Sequence, residues 1–277
     1  MANPEFVKEI IEAGVHFGHR CSRWNPKMKP FIYGKRNLIH IIDVRQTLKG
    51  VLVAKKFLNQ IVLGGKDVLL VGTKRQARTV VEEIGKATGM PFVAERWLGG
   101  MLTNYSTIRS RLQRLEELEA TLQAPDVSKK FSKKMESSLK REYRKILRNL
   151  SGVRTMNRLP GAVLVIDVKR EAIAVREART LGIPVIGIID TDSDPDMVDI
   201  AIPANDDAMR ALDLMLKEIT STLVEAKASR TQRDEPQASK DGDQRQQKPR
   251  RRRTTTAQFE NEPAKPVAAA EAPSAQA

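Results

Sequence analysis

The segment from Arg20 to Arg36 combines cations with aromatic side chains. It reads RCSRWNPKMKPFIYGKR, with six Lys or Arg residues, no acid, and Trp24, Phe31 and Tyr33 among them. Cations at this density repel one another unless a polyanion neutralises them, and nucleic-acid phosphates do so while releasing condensed counterions. Flat side chains stack on exposed bases or riboses. This cationic segment therefore predicts phosphate binding, and the alternative is a solvated basic loop whose aromatic side chains tuck under the domain.

Three aspartates form a second candidate site. Asp190 follows an apolar, strand-like run, and Asp206 and Asp207 open an amphipathic stretch soon after it. If the three carboxylates meet at the carboxyl edge of a sheet, a divalent cation or a protein partner would reconcile their like charges. An EF-hand starting at Asp190 is excluded, because its sixth position is Pro195 and its twelfth is Ala201.

Motifs for other chemistry are incomplete. His16, His19 and Cys21 lie within HFGHRC, but the chain has one Cys and three His, so a closed zinc site would need carboxylates from elsewhere. We therefore favour packed or hydrogen-bonded histidines. The segment VGTKR matches neither phosphate-binding glycine motif, and GxSxG is absent from the sequence. We predict no catalytic residue and no cofactor or small-molecule substrate, apart from the possible divalent cation.

Charge is uneven along the 277 residues. The net charge is +14, and residues 1–60 and 105–154 are strongly basic, whereas residues 155–228 carry more acids than bases. This polarity suggests one surface for nucleic acid and another for a different partner. A single cysteine excludes an intrachain disulfide and favours a reducing compartment. With no signal pattern and no apolar run approaching about 20 residues, we expect a cytoplasmic protein without a membrane partner.

Strand-like and helix-like stretches alternate, which predicts a doubly wound α/β domain with a parallel sheet. The predicted strands are Leu38–Ile42, Val68–Val71, Phe92–Val93, Val163–Ile166 and Val185–Ile189. The predicted helices are Val44–Leu63, Arg75–Thr88, Arg170–Leu181 and Asp206–Ala228, the last with Asn205 as its N-cap.

A helical excursion interrupts this alternation. From Thr103 to Gly152, apolar residues recur at steps of three and four on both sides of a turn near Pro125. This spacing predicts an antiparallel helical hairpin with a narrow apolar stripe. Its other faces are rich in Lys and Arg, among them Lys129 and Lys130, which favours a protrusion that grips phosphates over an ordinary solvated coiled coil.

The chain changes character at Ser229, where polar, aperiodic sequence begins and predicts disorder. We therefore divide the chain into a basic N-terminal segment (1–37), an α/β globular domain (38–102 and 153–228), the hairpin (103–152) and a disordered tail (229–277).

Several long motifs, in one order from about residue 5 to residue 228, carry a resemblance to a known family. They include GVHFGH from Gly14, WNPKMKP from Trp24, RWLGGMLTN from Arg96 and IPANDD from Ile202. The chain resembles the bacterial small-subunit ribosomal protein S2 family. The resemblance implies a flavodoxin-like α/β domain with a protruding hairpin, a non-catalytic role on small-subunit rRNA in translation and late subunit assembly, and docking of ribosomal protein S1 beside neighbouring small-subunit proteins.

Residues and resemblance together predict two groups of rRNA contacts on a ribosome-associated protein. Aromatic residues make up only 4% of the chain and an RRM-type RNP1 pattern is absent, so phosphate and 2′-OH contacts to folded RNA are favoured over base readout. The first group is Arg20, Arg23, Lys27, Lys29, Lys35 and Arg36, with Trp24 and Tyr33 packing on sugar or base. The second group is Arg109, Lys133, Lys134, Arg141 and Arg144. We assign the binding of S1 or of a divalent cation to Asp190, Asp206 and Asp207. The alternatives are a nucleotide-binding flavodoxin-like enzyme and an RNA chaperone acting off the ribosome.

Overall fold

Eight strands form two sheets in the computed structural model, which describes residues 4–124 and 131–234. The strands are β1 (Phe17–Arg20), β2 (Ile32–Arg36), β3 (Ile39–Ile42), β4 (Val68–Val71), β5 (Phe92–Val93), β6 (Ala162–Ile166), β7 (Val185–Ile189) and β8 (Ile200–Pro203). The larger sheet has the order β5-β4-β6-β7-β8 and all its pairs are parallel. This is the flavodoxin-like order, so the predicted fold class is confirmed.

Seven α-helices accompany the strands in the described ranges. They are α1 (Pro4–Glu12), α2 (Val44–Leu63), α3 (Arg78–Thr88), α4 (Tyr105–Gln123), α5 (Lys133–Leu150), α6 (Ala172–Thr180) and α7 (Met209–Asp234). Helix α2 coincides with its predicted bounds. Helix α7 continues past Ser229, where we predicted that the tail begins. None of the helices described here combines the length and apolar character that a bilayer span requires.

Alternate residues of the parallel sheet pack into separate layers on its two faces. Leu70 of β4 joins a layer with buried side chains of α2, α3 and α7, such as Leu58 and Leu216. Its neighbours Leu69 and Val71 join the opposite layer, which includes buried residues of α4, α5 and α6. Both faces of the sheet are therefore covered, which explains why its strands read as continuous apolar runs.

The smaller sheet differs from the prediction. The run Leu38–Ile42 was expected in the parallel sheet, but β3 lies between β1 and β2 and pairs with both in antiparallel fashion. A short apolar run does not by itself distinguish a parallel strand from an antiparallel one. The predicted N-terminal segment thus supplies two strands of its own, and its Met28 is completely buried in the same layer as Leu69.

The helical excursion is present as α4 and α5. Helix α4 buries Ile108, Leu112, Leu115 and Leu118, and the Ser132 hydroxyl caps α5 by accepting the Met135 N–H at 3.4 Å. Two side-chain pairs connect the helices. The Arg114 guanidinium lies 3.4 Å from the Glu142 carboxylate, and the Tyr143 hydroxyl donates to Glu119 at 3.3 Å. The turn near Pro125, together with Lys129 and Lys130, lies outside the described residues, as does the predicted tail from residue 235 onward.

A buried carboxylate fixes the loop that leads into the hairpin. Glu177 of α6 is 8% exposed. It accepts hydrogen bonds from the Trp97 indole N–H (3.1 Å) and from the backbone N–H groups of Gly100 (2.8 Å), Leu102 (3.1 Å) and Thr103 (3.2 Å). Gly100 has a φ of 86°, a conformation that favours glycine. Burial opposes ionisation of Glu177, but these hydrogen bonds outweigh it, so its pKa lies below the usual value.

We predict that Glu177→Gln lowers the free energy of unfolding by about 2–3 kcal/mol at pH 7, because the amide turns an N–H group towards backbone donors and removes a charge that accepts several bonds. Since the pKa of Glu177 is depressed, its stabilisation is present at neutral pH and is lost as the pH falls through that depressed value. The difference in unfolding free energy between wild type and variant should therefore be smaller at acidic pH. Urea unfolding followed by tryptophan fluorescence measures this.

Glu225→Gln is the matched control, because Glu225 is an exposed acid on α7. It should change stability by less than about 0.5 kcal/mol. Equal stability of both variants at pH 7 would show that Glu177 does not anchor this loop.

Candidate nucleic-acid interface

The cationic segment is held to the domain by a few anchors and exposes most of its charges. Its 3₁₀ turn Pro26–Phe31 begins at Asn25, whose side chain accepts the Lys27 N–H at 3.0 Å and whose own N–H donates to the Thr191 carbonyl at 2.8 Å. Met28 is the buried anchor of this turn. The predicted contact residues Arg20, Arg23, Lys27, Lys29, Tyr33, Lys35 and Arg36 are all exposed.

Lys27 differs from the other cations of this group because its charge is already balanced. Its ammonium lies 2.7 Å from Asp196 and 2.9 Å from Asp194. Hydrogen bonds to Asp196 and Asp194 raise the pKa of Lys27 above its usual value. The five remaining predicted cations of the segment form no side-chain ion pair or hydrogen bond with another described residue. The structure therefore leaves those five available for phosphate, whereas Lys27 ties the segment to the acidic loop after β7.

The two predicted aromatic contacts are placed differently. Tyr33 is 82% exposed on β2 and is free to stack on a sugar or base. Trp24 is half-buried and packs on the ring of His40, with ring centroids 5.0 Å apart. Trp24 thus already has a stacking partner within the protein, while its contact with RNA stays a prediction.

All five predicted contacts on the hairpin are exposed. Arg109 lies near the start of α4, Lys133 and Lys134 begin α5, and Arg141 and Arg144 follow in its middle. None of them is ion-paired with another residue in the described ranges, whereas Arg114 and Lys140 of the same helices are. The hairpin therefore offers a second cationic surface separate in sequence from the first.

The predicted aspartates do meet at the carboxyl edge of the parallel sheet. Asp190 directly follows β7, and Asp206 and Asp207 follow β8. The Lys74 ammonium, which follows β4, lies 2.8 Å from Asp206 and 2.6 Å from Asp207. We call these four residues, together with His19, the edge cluster.

His19 joins the smaller sheet to the edge cluster. Its Nδ1 lies 2.7 Å from Asp190 Oδ2, its Nε2 lies 3.4 Å from Asp207, and its backbone N–H donates to the Thr191 hydroxyl at 2.9 Å. The preceding Gly18 permits this approach, since a Cβ there would lie 2.5 Å from the Thr191 side chain. Sequence reasoning missed His19 and Lys74 as partners of the aspartates, although the position of Lys74 just after a predicted strand was a usable signal.

Ionisation in the edge cluster follows from burial and pairing. The hydrogen bond with Asp190 raises the pKa of His19 to about 9, against the opposing effect of burial. Burial raises the pKa of Asp206 to about 7, assisted by the negative charges of Asp190 and Asp167. Burial lowers the pKa of Lys74, but hydrogen bonds to Asp206 and Asp207 outweigh it and hold that pKa above its usual value. At neutral pH the cluster therefore contains two protein cations among its carboxylates.

His19, Asp206 and Asp207 are also close enough to share a metal ion, with candidate ligand atoms within 4.8 Å of one another in the described residues. Protonated His19 and Lys74 already neutralise the same carboxylates. A metal would therefore have to displace the His19 proton. The divalent cation stays a prediction, and the structure supplies an alternative source of the positive charge that the three aspartates require.

We predict that His19→Gln lowers the free energy of unfolding by about 2 kcal/mol at pH 6, a value reduced for the partial exposure of the imidazole. Because the pKa of His19 is raised from 6.5 to about 9, its stabilisation is complete below pH 6.5 and is lost as the pH rises through 9. The difference between wild type and variant should therefore narrow above pH 9 in denaturant titrations. An imidazole NMR titration with a midpoint near 6.5 would contradict this.

Comparison with known proteins agrees with this architecture. A family model described as "Ribosomal protein S2" matches residues 10–226. The curated protein "Small ribosomal subunit protein uS2" of Rhodopirellula baltica is 59% identical over 227 residues, which cover 82% of this chain and 86% of that protein. The protein of the same name from Thermus thermophilus is 49% identical over 221 residues, covering 80% of this chain and 86% of that protein.

A third relative, "Small ribosomal subunit protein uS2" of Chlorobaculum tepidum, is 47% identical over 228 residues, which cover 82% of this chain and 91% of that protein. The stretch matched by the family model includes the cationic segment, the hairpin and the edge cluster. The chain belongs to the ribosomal protein S2 family, which consists of structural proteins of the small ribosomal subunit and not of enzymes.

Proposed function

We propose that this protein holds folded small-subunit rRNA through two cationic surfaces, the cationic segment and the hairpin, and so supports late assembly of the subunit. Family membership makes it a structural protein of translation. The proposal adds that these two surfaces contact RNA. It also adds that the protein lies among neighbouring small-subunit proteins in the cytoplasm.

The observation that supports this proposal is the set of unpaired, exposed cations. Ion pairs with nearby acids neutralise Lys27, Arg114 and Lys140. In contrast, the other predicted contact cations of both surfaces lack an acidic partner within the described ranges. Unneutralised cations on two separate elements suit a folded RNA whose phosphates lie on several strands.

The crevice of the sheet also favours a scaffold over a nucleotide-binding enzyme. In the flavodoxin-like strand order, ligands bind at the carboxyl edge between β4 and β6. Here Thr73, which follows β4, donates a hydrogen bond to the buried Glu171, and the Arg170 guanidinium donates to the Thr73 hydroxyl at 3.2 Å. Lys74 extends from the same loop to the edge cluster. The protein's own side chains therefore occupy the position where a nucleotide would bind.

A second candidate function is the docking of ribosomal protein S1 on the acidic side of the edge cluster. Asp190 and Asp206 are each 1% exposed, so they act inside the protein and do not offer a contact surface. The Asp207 and Asp196 side chains are 57% and 70% exposed. Any direct contact with a basic partner is thus left to Asp207 and to the loop after β7.

For rRNA binding, we predict that the triple variant Lys29→Glu, Lys35→Glu and Arg36→Glu weakens association with small-subunit particles lacking this protein by at least about tenfold, because three phosphate contacts become repulsive. Thermal stability should change little, since these side chains are exposed and unpaired. For wild type, the slope of log K against log salt should be about −4 or steeper, and the variant should have a shallower slope.

The matched control reverses Lys8, Lys56 and Arg176, which are exposed on α1, α2 and α6. Sucrose-gradient sedimentation of all three proteins separates the outcomes. Normal co-migration of the first variant with subunits would argue against the cationic segment, and wild-type protein that stays free of subunits would favour a chaperone acting off the ribosome.

For S1 docking, we predict that Asp207→Asn combined with Asp196→Asn lowers S1 occupancy on isolated subunits several-fold without releasing the protein from rRNA. The reason is that these exposed carboxylates would be lost from the docking surface, whereas Asp194 still pairs with Lys27 and Asp206 still pairs with Lys74. Quantitative mass spectrometry of purified subunits measures both quantities. Glu83→Gln with Glu225→Gln, an exposed pair on α3 and α7, is the control. Unchanged S1 occupancy would leave the acidic side with no docking role.

A further inference from the structure

A cavity of about 450 Å³ opens beside the edge cluster, on the side of the smaller sheet. Its lining includes His19, Arg20, Ser22, Arg23, Ile39 and Asp207. This volume falls within the range of pockets that hold small ligands. The cavity therefore has room for a single nucleotide unit.

The charges on this cavity are not balanced by the protein. The positive charge of His19 faces Asp190 and Asp207, and Asp207 also pairs with Lys74. The guanidinium groups of Arg20 and Arg23 have no side-chain ion pair or hydrogen bond with another described residue. Each guanidinium presents five N–H donors in a planar fork that matches phosphate. The excess charge therefore favours an anion that accepts hydrogen bonds from two arginines.

The remaining groups of the lining favour an anion that carries hydroxyl groups. Asp207 is acceptor-only when ionised, and its side chain is 57% exposed. Burial opposes the ionisation of Asp207, but its hydrogen bond to Lys74 outweighs burial and lowers its pKa, so it is ionised at neutral pH. A carboxylate repels a bare phosphate but accepts a hydrogen bond from a ribose hydroxyl, as acidic residues do in dinucleotide-binding folds. The Ser22 hydroxyl and the Ile39 side chain complete a surface that is polar with one apolar patch.

We propose that this cavity binds one ribonucleotide unit of single-stranded rRNA, with Arg20 and Arg23 on the phosphate and Asp207 accepting from the ribose 2′-hydroxyl. The inference rests on the proposed function, since it names the RNA chemistry that part of the cationic segment recognises. It goes beyond that function because the Asp207 contact distinguishes RNA from DNA, which phosphate contacts alone do not.

The test uses the full-length protein and four probes, which are a uridine hexanucleotide, the matched deoxyuridine hexanucleotide, uridine monophosphate and inorganic phosphate. Calorimetric titration at one salt concentration should show the ribonucleotide hexamer binding at least about fivefold more tightly than the deoxy hexamer. Arg20→Ala with Arg23→Ala should weaken both hexamers at least about tenfold, whereas Arg176→Ala with Lys56→Ala, the control with the same loss of charge, should not. Asp207→Ala should abolish the preference for ribose.

Crosslinking locates the contact independently of the variants. A hexamer containing 4-thiouridine should crosslink to residues 18–23, to Ile39 or to Asp207 after irradiation and mass spectrometry. If uridine monophosphate binds as tightly as the hexamer, the cavity would be assigned to a free nucleotide, and its assignment to rRNA would be overturned. Equal affinity for the two hexamers, or crosslinks confined to the hairpin, would overturn the cavity proposal.

Failure of this proposal is distinguishable from failure of the proposed function. If the Lys29, Lys35 and Arg36 substitutions weaken subunit association but the hexamers show no ribose preference, the cavity proposal is rejected and the proposed rRNA binding is retained. If the substitutions change neither subunit association nor hexamer affinity, both the cavity proposal and the proposed function are rejected.

Discussion

The fold depends on how it accommodates negative charge at the carboxyl edge of its parallel sheet. Strands β6, β7 and β8 are followed by Asp167, Asp190 and Asp206, so the topology brings like charges together at one edge. Such an arrangement is unfavourable when the carboxylates are buried without partners. Lys74, which follows β4, contacts Asp206 and approaches Asp167 to 3.6 Å, and His19 neutralises Asp190. Cations of the chain itself thus offset much of the negative charge of the cluster.

This charge pairing links the two sheets. His19 belongs to the smaller sheet, so its ion pair with Asp190 holds β1 against the parallel sheet. At the same time, Lys74, Thr73 and Glu171 lie at the carboxyl edge of the sheet, where ligands bind in folds of this strand order. Exposed cations that lack an ion-pair partner among the described residues lie instead on the cationic segment and the hairpin, which are the two surfaces we propose for RNA.

The fold was predictable from sequence where local pattern determines the structure. The bounds of α2 and the strands β4 and β7 follow from apolar periodicity, since residues there are buried as their spacing requires. Strand β8 was missed, because IAIP is short and contains a proline. Strands β1 and β2 were missed because FGHR and IYGKR contain few apolar residues, and none of their side chains is buried in the core. Backbone pairing with β3 forms β1 and β2, and pairing with β7 forms β8, and a local sequence window does not contain that information.

The contacts of the candidate site were even less predictable from the sequence than the strands. Which strand ends are acidic can be read from the sequence, and the meeting of Asp190 with Asp206 follows from parallel topology. That His19 pairs with Asp190 cannot be read in this way, because the two residues are separated by 171 positions and His19 lies in the smaller sheet, whereas Asp190 follows a strand of the larger one. Similarly, Lys27 and Lys29 look equivalent in sequence, but only Lys27 lies beside Asp194 and Asp196. A cationic segment therefore predicts the chemistry of a surface, whereas tertiary structure decides which of its charges are neutralised internally and which are left without an acidic partner.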